Sequence, residues 1–232
     1  MPAKIIVSYD GTANEEDAIA LGRIFHRAGA EVALAYVRHT HEPDSERETL
    51  AQHEAEALLE RGAAVFGDSD LARHVVTDRS TPEGLAALAE SQGADVIVFC
   101  SDSHTAKGHV SVGNSAERLL EGGRTAIAIA PAGLAEEPAT AGITRIVAVG
   151  DSEGGAQATA QAMATALGAT VEPVVNDESD LMVVDSRPDA AQGRISISSS
   201  ASHLIEIATC SVLVVPRGVT LQFGSTAAAA AA

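Results

Sequence analysis

The chain has 232 residues, is 46% hydrophobic and only 3% aromatic, with no Trp, so its core must come from Val, Ile, Leu and Ala, a composition suited to parallel strands under small-faced helices. A net charge of −17, from 15 basic and 32 acidic residues, offers no positive footprint for DNA or RNA and no attraction to an anionic membrane surface. Two cysteines make no disulfide framework, no run reaches the roughly 18 apolar residues of a membrane span, and "MPAKIIVSYDGT" is too short in apolar residues for a signal segment, so a reduced, cytoplasmic protein is expected.

"KIIVSYD" (4–10) reads as a first strand. In the segment that follows, Ala18, Leu21, Gly22 and Phe25 recur at i, i+3, i+4 and i+7, one face of a helix. Glu15, Glu16 and Asp17 fall in its first turn, where they suit the helix dipole, and Gly29 stops it. "EVALAYV" (31–37) is a second strand. Residues 45–63 return to helical spacing through Ala51, Ala55, Leu58 and Leu59. "ARHVVTD" is a short third strand. Thr81 and Pro82 read as N-cap and first residue of a helix that buries Leu85, Leu88 and Ala89. "ADVIVFCS" (94–101) is a fourth strand, a further helix runs through Leu119 and Leu120 to Gly122-Gly123, and "TAIAIAP" (125–131) is a fifth strand. Alternating strands and helices predict an α/β fold, an open and mostly parallel sheet with helices on both faces.

After a linker at 132–143 the pattern restarts. "RIVAVGD" (145–151) matches "KIIVSYD" (4–10), setting Asp151 opposite Asp10. Residues 95–131 and 180–216 align without a gap at an offset of 85, bringing Gly108 onto Gly193 and Pro131 onto Pro216. The second copy is short. Between its second strand, ending near Val175, and Asp180 only a few residues stand where the first copy has two helices and a strand. The expected division is a complete domain at 1–131, a truncated one at 144–217 and an unstructured tail at 218–232. A copy of this reduced size buries too little surface to stand alone, so it is expected to pack against the first.

Several patterns suggest chemistry. Gly108, Gly113, Asn114 and Ser115 spell a near miss of the phosphate-binding G-x-x-x-x-G-K-[ST]. The lysine is missing, and Gly108 lies well past the strand that a true phosphate loop follows at once. The recurrence of Gly108 as Gly193 favours a shared turn. His39 and His41, with Glu42 and Asp44, have metal-ligating chemistry but sit in a polar loop without a second cluster, and read as solvated. His104 and His109 read as surface residues, and Cys100 and Cys210 as small hydrophobes at strand ends. Asp10 is either a ligand contact or the former of the turn in "YDGT". No catalytic triad or metal motif has usable spacing.

Through "KIIVSYDGT", "TPEGLAALAESQGADVIVF" and "GNSAERLLEGGRTAIAIAP" the first copy resembles the universal stress protein family, and "RIVAVGDS" with "SASHLIEIATCSVLVVP" extends the resemblance to the second. The resemblance implies a five-stranded sheet of the adenine nucleotide alpha hydrolase-like kind. It also implies antiparallel pairing of fifth strands, here between 125–131 and 211–216 as an intramolecular pseudo-dimer, besides a homodimer of whole chains. Family members that bind ATP or AMP carry G-x-x-G, nine residues, then G-[ST]. In this chain those places are Cys100, Ser103, Gly113 and Asn114, and in the second copy Asp185, Pro188, Ser198 and Ser199. The resemblance therefore implies a nucleotide site that is degenerate in the first copy and lost in the second. Asp10, Val37, Gly113, Asn114 and Ser115 are its remnant for ATP or AMP. The function so implied is a non-catalytic stress or regulatory protein. The alternatives are a working ATP/AMP-binding module in the first copy and an adenine-nucleotide hydrolase-like enzyme.

Overall fold

The structure is a computed structural model that describes residues 1–12, 14–39, 44–137, 142–150 and 154–224. In the first part of the chain it has β1 (Lys4–Ser8), α1 (Glu15–Arg27), β2 (Glu31–Arg38), α2 (Ser45–Phe66), β3 (Ala72–Thr77), α3 (Thr81–Gln92), β4 (Val96–Cys100), α4 (Asn114–Leu120) and β5 (Ala126–Ala130). A short 3-10 turn at Leu134–Glu136 leads to β6 (Arg145–Val149), α5 (Gly155–Leu167), β7 (Thr170–Glu172), β8 (Leu181–Asp185), α6 (Ser199–Glu206) and β9 (Ser211–Val215).

Among the described residues, these nine strands form one sheet in the order β3-β2-β1-β4-β5-β9-β8-β6-β7. Every pairing is parallel except β5 with β9, which is antiparallel. Its register is Ile127 to Val214, Ala128 to Leu213 and Ile129 to Val212. Ala128 and Leu213 are equivalent positions of the repeat, so a pseudo-twofold axis passes between them. The sequence "AIAIA" divides along the pleat as the two-residue period requires. Ala126, Ala128 and Ala130 face one core, with α1, α2 and α5, while Ile127 and Ile129 face the other, with α3, α4 and α6.

The repeat is also written in hydrogen bonds. Ser101 Oγ donates to Ala130 O (2.7 Å) and accepts from Ser111 N (3.1 Å). Ser186 Oγ does the same with Val215 O (2.8 Å) and Ser196 N (3.3 Å). Gly108 N donates to Ala132 O and Gly193 N to Arg217 O, at 2.8 and 2.9 Å. Both glycines have positive φ, 80° and 69°, a conformation that costs a side chain roughly 1–2 kcal/mol. The glycine recurs because the turn recurs.

Two expectations shift. The cap expected at Thr81 falls on Ser80, because Asp78 Oδ1 accepts from Ser80 N (3.0 Å) and holds Ser80 extended; Pro82 is then the second helical residue. The unstructured tail expected from residue 218 is, through Gly224, a packed strap. Leu221 is 1% exposed and its N–H donates to Thr159 Oγ1 of α5 (3.0 Å). Ala3 N donates to Gln222 O (2.9 Å), and Phe223 meets Phe25 of α1 at 6.1 Å between ring centres. The strap joins α1 and α5, which lie over the same face of the sheet. Residues 225–232 lie outside the described residues. In the second part, the return from β7 to β8 replaces α2, β3 and α3, and Val175 within it packs against the core on the α3, α4 and α6 side of the sheet.

Candidate functional site

In open parallel sheets ligands gather at the carboxyl ends of strands, where the strand order reverses. Here that crevice lies between β1 and β4, with an equivalent between β6 and β8. Asp10 follows β1 and Cys100 ends β4. Between them stands Glu15, the first residue of α1 and only 7% exposed. Its Oε2 accepts from Asp10 N at 2.5 Å, and Cys100 Sγ donates to Oε1 at 3.7 Å. Burial first, and then the Asp10 carboxylate, push the Glu15 carboxyl up to about 8. Burial and the same two carboxyls push the Cys100 thiol far up as well. Glu15 therefore holds its proton at neutral pH, and Cys100 stays a thiol.

Asp10 is exposed and forms the local turn, Oδ1 accepting from Thr12 N (2.9 Å). Asn14, just before α1, has a left-handed φ of 71°, and its Nδ2 donates to Asp102 O (3.0 Å), tying α1 to the loop after β4. Val37 turns its side chain into the core under α3. Tyr9 N donates to Ala35 O, so by the two-residue period the main chain of Val37 faces the same way, beyond the end of β1. Gly113 is the N-cap of α4 with φ −72°, which any residue adopts. With Asn114 and Ser115 it lies at the far end of the loop from Cys100 to α4. Asp10 and Cys100 thus meet around Glu15, whereas 113–115 stand apart from that contact.

At the equivalent crevice, Asp185 ends β8, and its Oδ1 accepts from Ala156 N (2.9 Å) in the first turn of α5. A cavity of about 420 Å³ borders it, reaching Arg187, Pro188, Ser198 and Arg217. Asp151, the sequence partner of Asp10, lies outside the described residues, as do His41 and Glu42. Asp44 caps α2 by accepting from Glu46 N and Arg47 N (3.0 and 3.1 Å). His104 and His109 are exposed. Among the described residues no group of three or more His, Cys, Asp or Glu side chains could hold a metal ion, and no helix is long and apolar enough to cross a membrane.

The sequence profile of the universal stress protein family matches residues 1–131. The chain belongs to this family. No curated protein matches it. Solved structures share the fold. A universal stress protein from Archaeoglobus fulgidus superposes with a TM-score of 0.56 at 14% identity, over 93% of this chain and 98% of that one. A functionally unknown protein from Pseudomonas aeruginosa superposes with a TM-score of 0.60 at 14% identity, over 93% of each chain. Both matches run through the second part as well as the first, so this universal stress protein shares its extended architecture with them.

Sequence reasoning missed Glu15 and Asp17. Both read only as first-turn acids that suit the helix dipole, yet Asp17 is 3% exposed and accepts from Gly133 N and Ala135 N (2.8 and 2.7 Å), capping the 3-10 turn after β5. The available signal was spacing: Asp17 lies four residues before Leu21, which already lay on the buried face.

Proposed function

We propose that this universal stress protein is a non-catalytic regulatory module in which a main-chain donor of each nucleotide crevice is taken by one of its own carboxyl groups. One observation supports the reading. In each crevice a main-chain N–H at the strand end or helix start, the kind of donor that serves a bound phosphate, is already satisfied from within. Glu15 takes Asp10 N, and Asp185 takes Ala156 N. A phosphate would have to displace a buried carboxyl in the first copy and face a carboxylate in the second. Cys100, Ser103, Asp185 and Pro188 stand where nucleotide-binding relatives carry glycine. The Asp10, Val37, Gly113, Asn114 and Ser115 set is on this reading a vestige for ATP or AMP. Cys100 is a thiol rather than a thiolate at neutral pH, which does not suit a nucleophile. The β5–β9 ladder serves as the internal counterpart of a subunit interface, and one chain is the functional unit.

The test is native purification, denaturing release of bound small molecules, mass spectrometry for adenine nucleotides, and calorimetric titration with ATP. The expected result is no co-purified nucleotide and no micromolar ATP binding. Micromolar binding lost in Asp10→Ala would overturn the reading in favour of a working first-copy site. ATP turnover above background would overturn its non-catalytic part.

A further inference from the structure

The loops after β4 and β8 reach across the pseudo-twofold axis. Val110 N donates to Ala208 O (3.1 Å), and its repeat equivalent Ile195 N donates to Gly123 O (2.8 Å). Between the crossed loops and helices α4 and α6 lies a cavity of about 440 Å³ that shares no lining residue with the crevice at Asp185. Its floor is apolar, made by the buried side chains of Val110, Leu120 and Ile205. Half-buried Val112 and Ile197 form its walls. Leu120 and Ile205 are equivalent positions of the repeat, as are Val112 and Ile197, so each half of the protein supplies half the site. The rim is acidic, formed by exposed Glu117, Glu121 and Glu206. No Lys, Arg or His lines the cavity; His203 stands 3.8 Å from Glu206 outside the lining.

The volume falls in the range of ligand sites, about 300–1,000 Å³, and holds a large side chain. The rim selects the sign of the occupant. Nucleotides, nucleic acids and anionic lipids meet three glutamates, and a second copy of the chain brings its own charge of −17. We infer that this cavity docks a partner protein through a segment in which one large apolar side chain is flanked by lysines or arginines. The apolar side chain enters between Leu120 and Ile205, and the flanking cations meet Glu117, Glu121 and Glu206. Ser111 and Ser202 are also in the lining.

The probe is an amidated pentapeptide with phenylalanine between two pairs of lysines, titrated into the full chain by calorimetry and by methyl NMR. The expected result is saturable one-to-one binding with shifts centred on the methyls of Val112, Leu120, Ile197 and Ile205. A glycine in place of the phenylalanine should weaken binding about tenfold or more. The variant Glu117→Gln/Glu121→Gln/Glu206→Gln changes the net charge only from −17 to −17 + 3 = −14, and should weaken it about tenfold. Equal affinity for the glycine peptide, equal affinity in the triple variant, or shifts centred elsewhere would each overturn the proposal. The glycine comparison uses the unaltered protein and does not depend on how the variant folds.

Discussion

Replacing Glu15 by glutamine isolates what it takes to keep an acid buried at the start of α1. The carboxyl moves from 4.5 in a free side chain to about 8 in the fold, chiefly through burial and then through Asp10. Between those two values the folded chain holds a proton that the unfolded chain has released. The stability that Glu15 contributes is therefore whole below about 4.5, declines as pH rises through this window, and is lost above about 8. The window spans three to four pH units at about 1.4 kcal/mol each, or about 5 kcal/mol in all. Glutamine keeps the shape and the acceptor for Asp10 N but has no proton to lose. In urea unfolding, the variant and the parent should agree within about 1 kcal/mol at pH 5. The variant should lead by about 3 kcal/mol at pH 7 and by about 5 kcal/mol at pH 9. Stability curves that stay parallel from pH 5 to pH 9 would refute the buried, protonated Glu15.

Three further outcomes follow from the same structure. Burial pushes the Cys210 thiol up to about 11 and the Cys100 thiol higher, so iodoacetamide at pH 8 should label native Cys210 roughly 100-fold or more slowly than a free thiol, and Cys100 more slowly still; labelling both at the free-thiol rate would contradict their placement. Gly108→Ala and Gly193→Ala should each lower stability by roughly 1–2 kcal/mol because both positions have positive φ, whereas Gly113→Ala, with φ −72° and open space around it, should be near neutral; urea midpoints decide, and a costly Gly113→Ala would show that its backbone matters in a way the fold does not explain. Leu221→Ala should lower stability by about 3 kcal/mol through the void left under the strap, and a loss under about 1 kcal/mol in the same assay would mean that the strap does not hold the two halves together.

The elements were legible because their signals are local. Ala18, Leu21, Gly22 and Phe25 did form one buried face of α1, and the alternating "AIAIA" did form β5. The pairing of β5 with β9 was legible for a different reason: a repeat in register carries its own symmetry, and the family resemblance supplied the edge. Glu15 escaped because an acid in a first turn has an ordinary reason to be there, the helix dipole. Its partner in the fold is Cys100, 85 residues away in sequence, and no local pattern carries that distance. The strap escaped similarly. Residues 218–224 have no periodicity of their own and are fixed by Thr159, Ala3 and Phe25, which the fold brings together. Val37 is a site residue by resemblance alone; in the fold its side chain belongs to the core under α3.

The β5–β9 ladder has a consequence for heredity. In a symmetric dimer of identical subunits one codon is expressed at two places, so a change that closes one crevice closes both. Joining the halves in one chain removes that constraint. Here the two crevices differ: at one, Glu15 at the start of α1 accepts from Asp10 N, and at the other, Asp185 at the end of β8 accepts from Ala156 N. The shared turn at Gly108 and Gly193 shows how alike the halves remain where no such freedom was used.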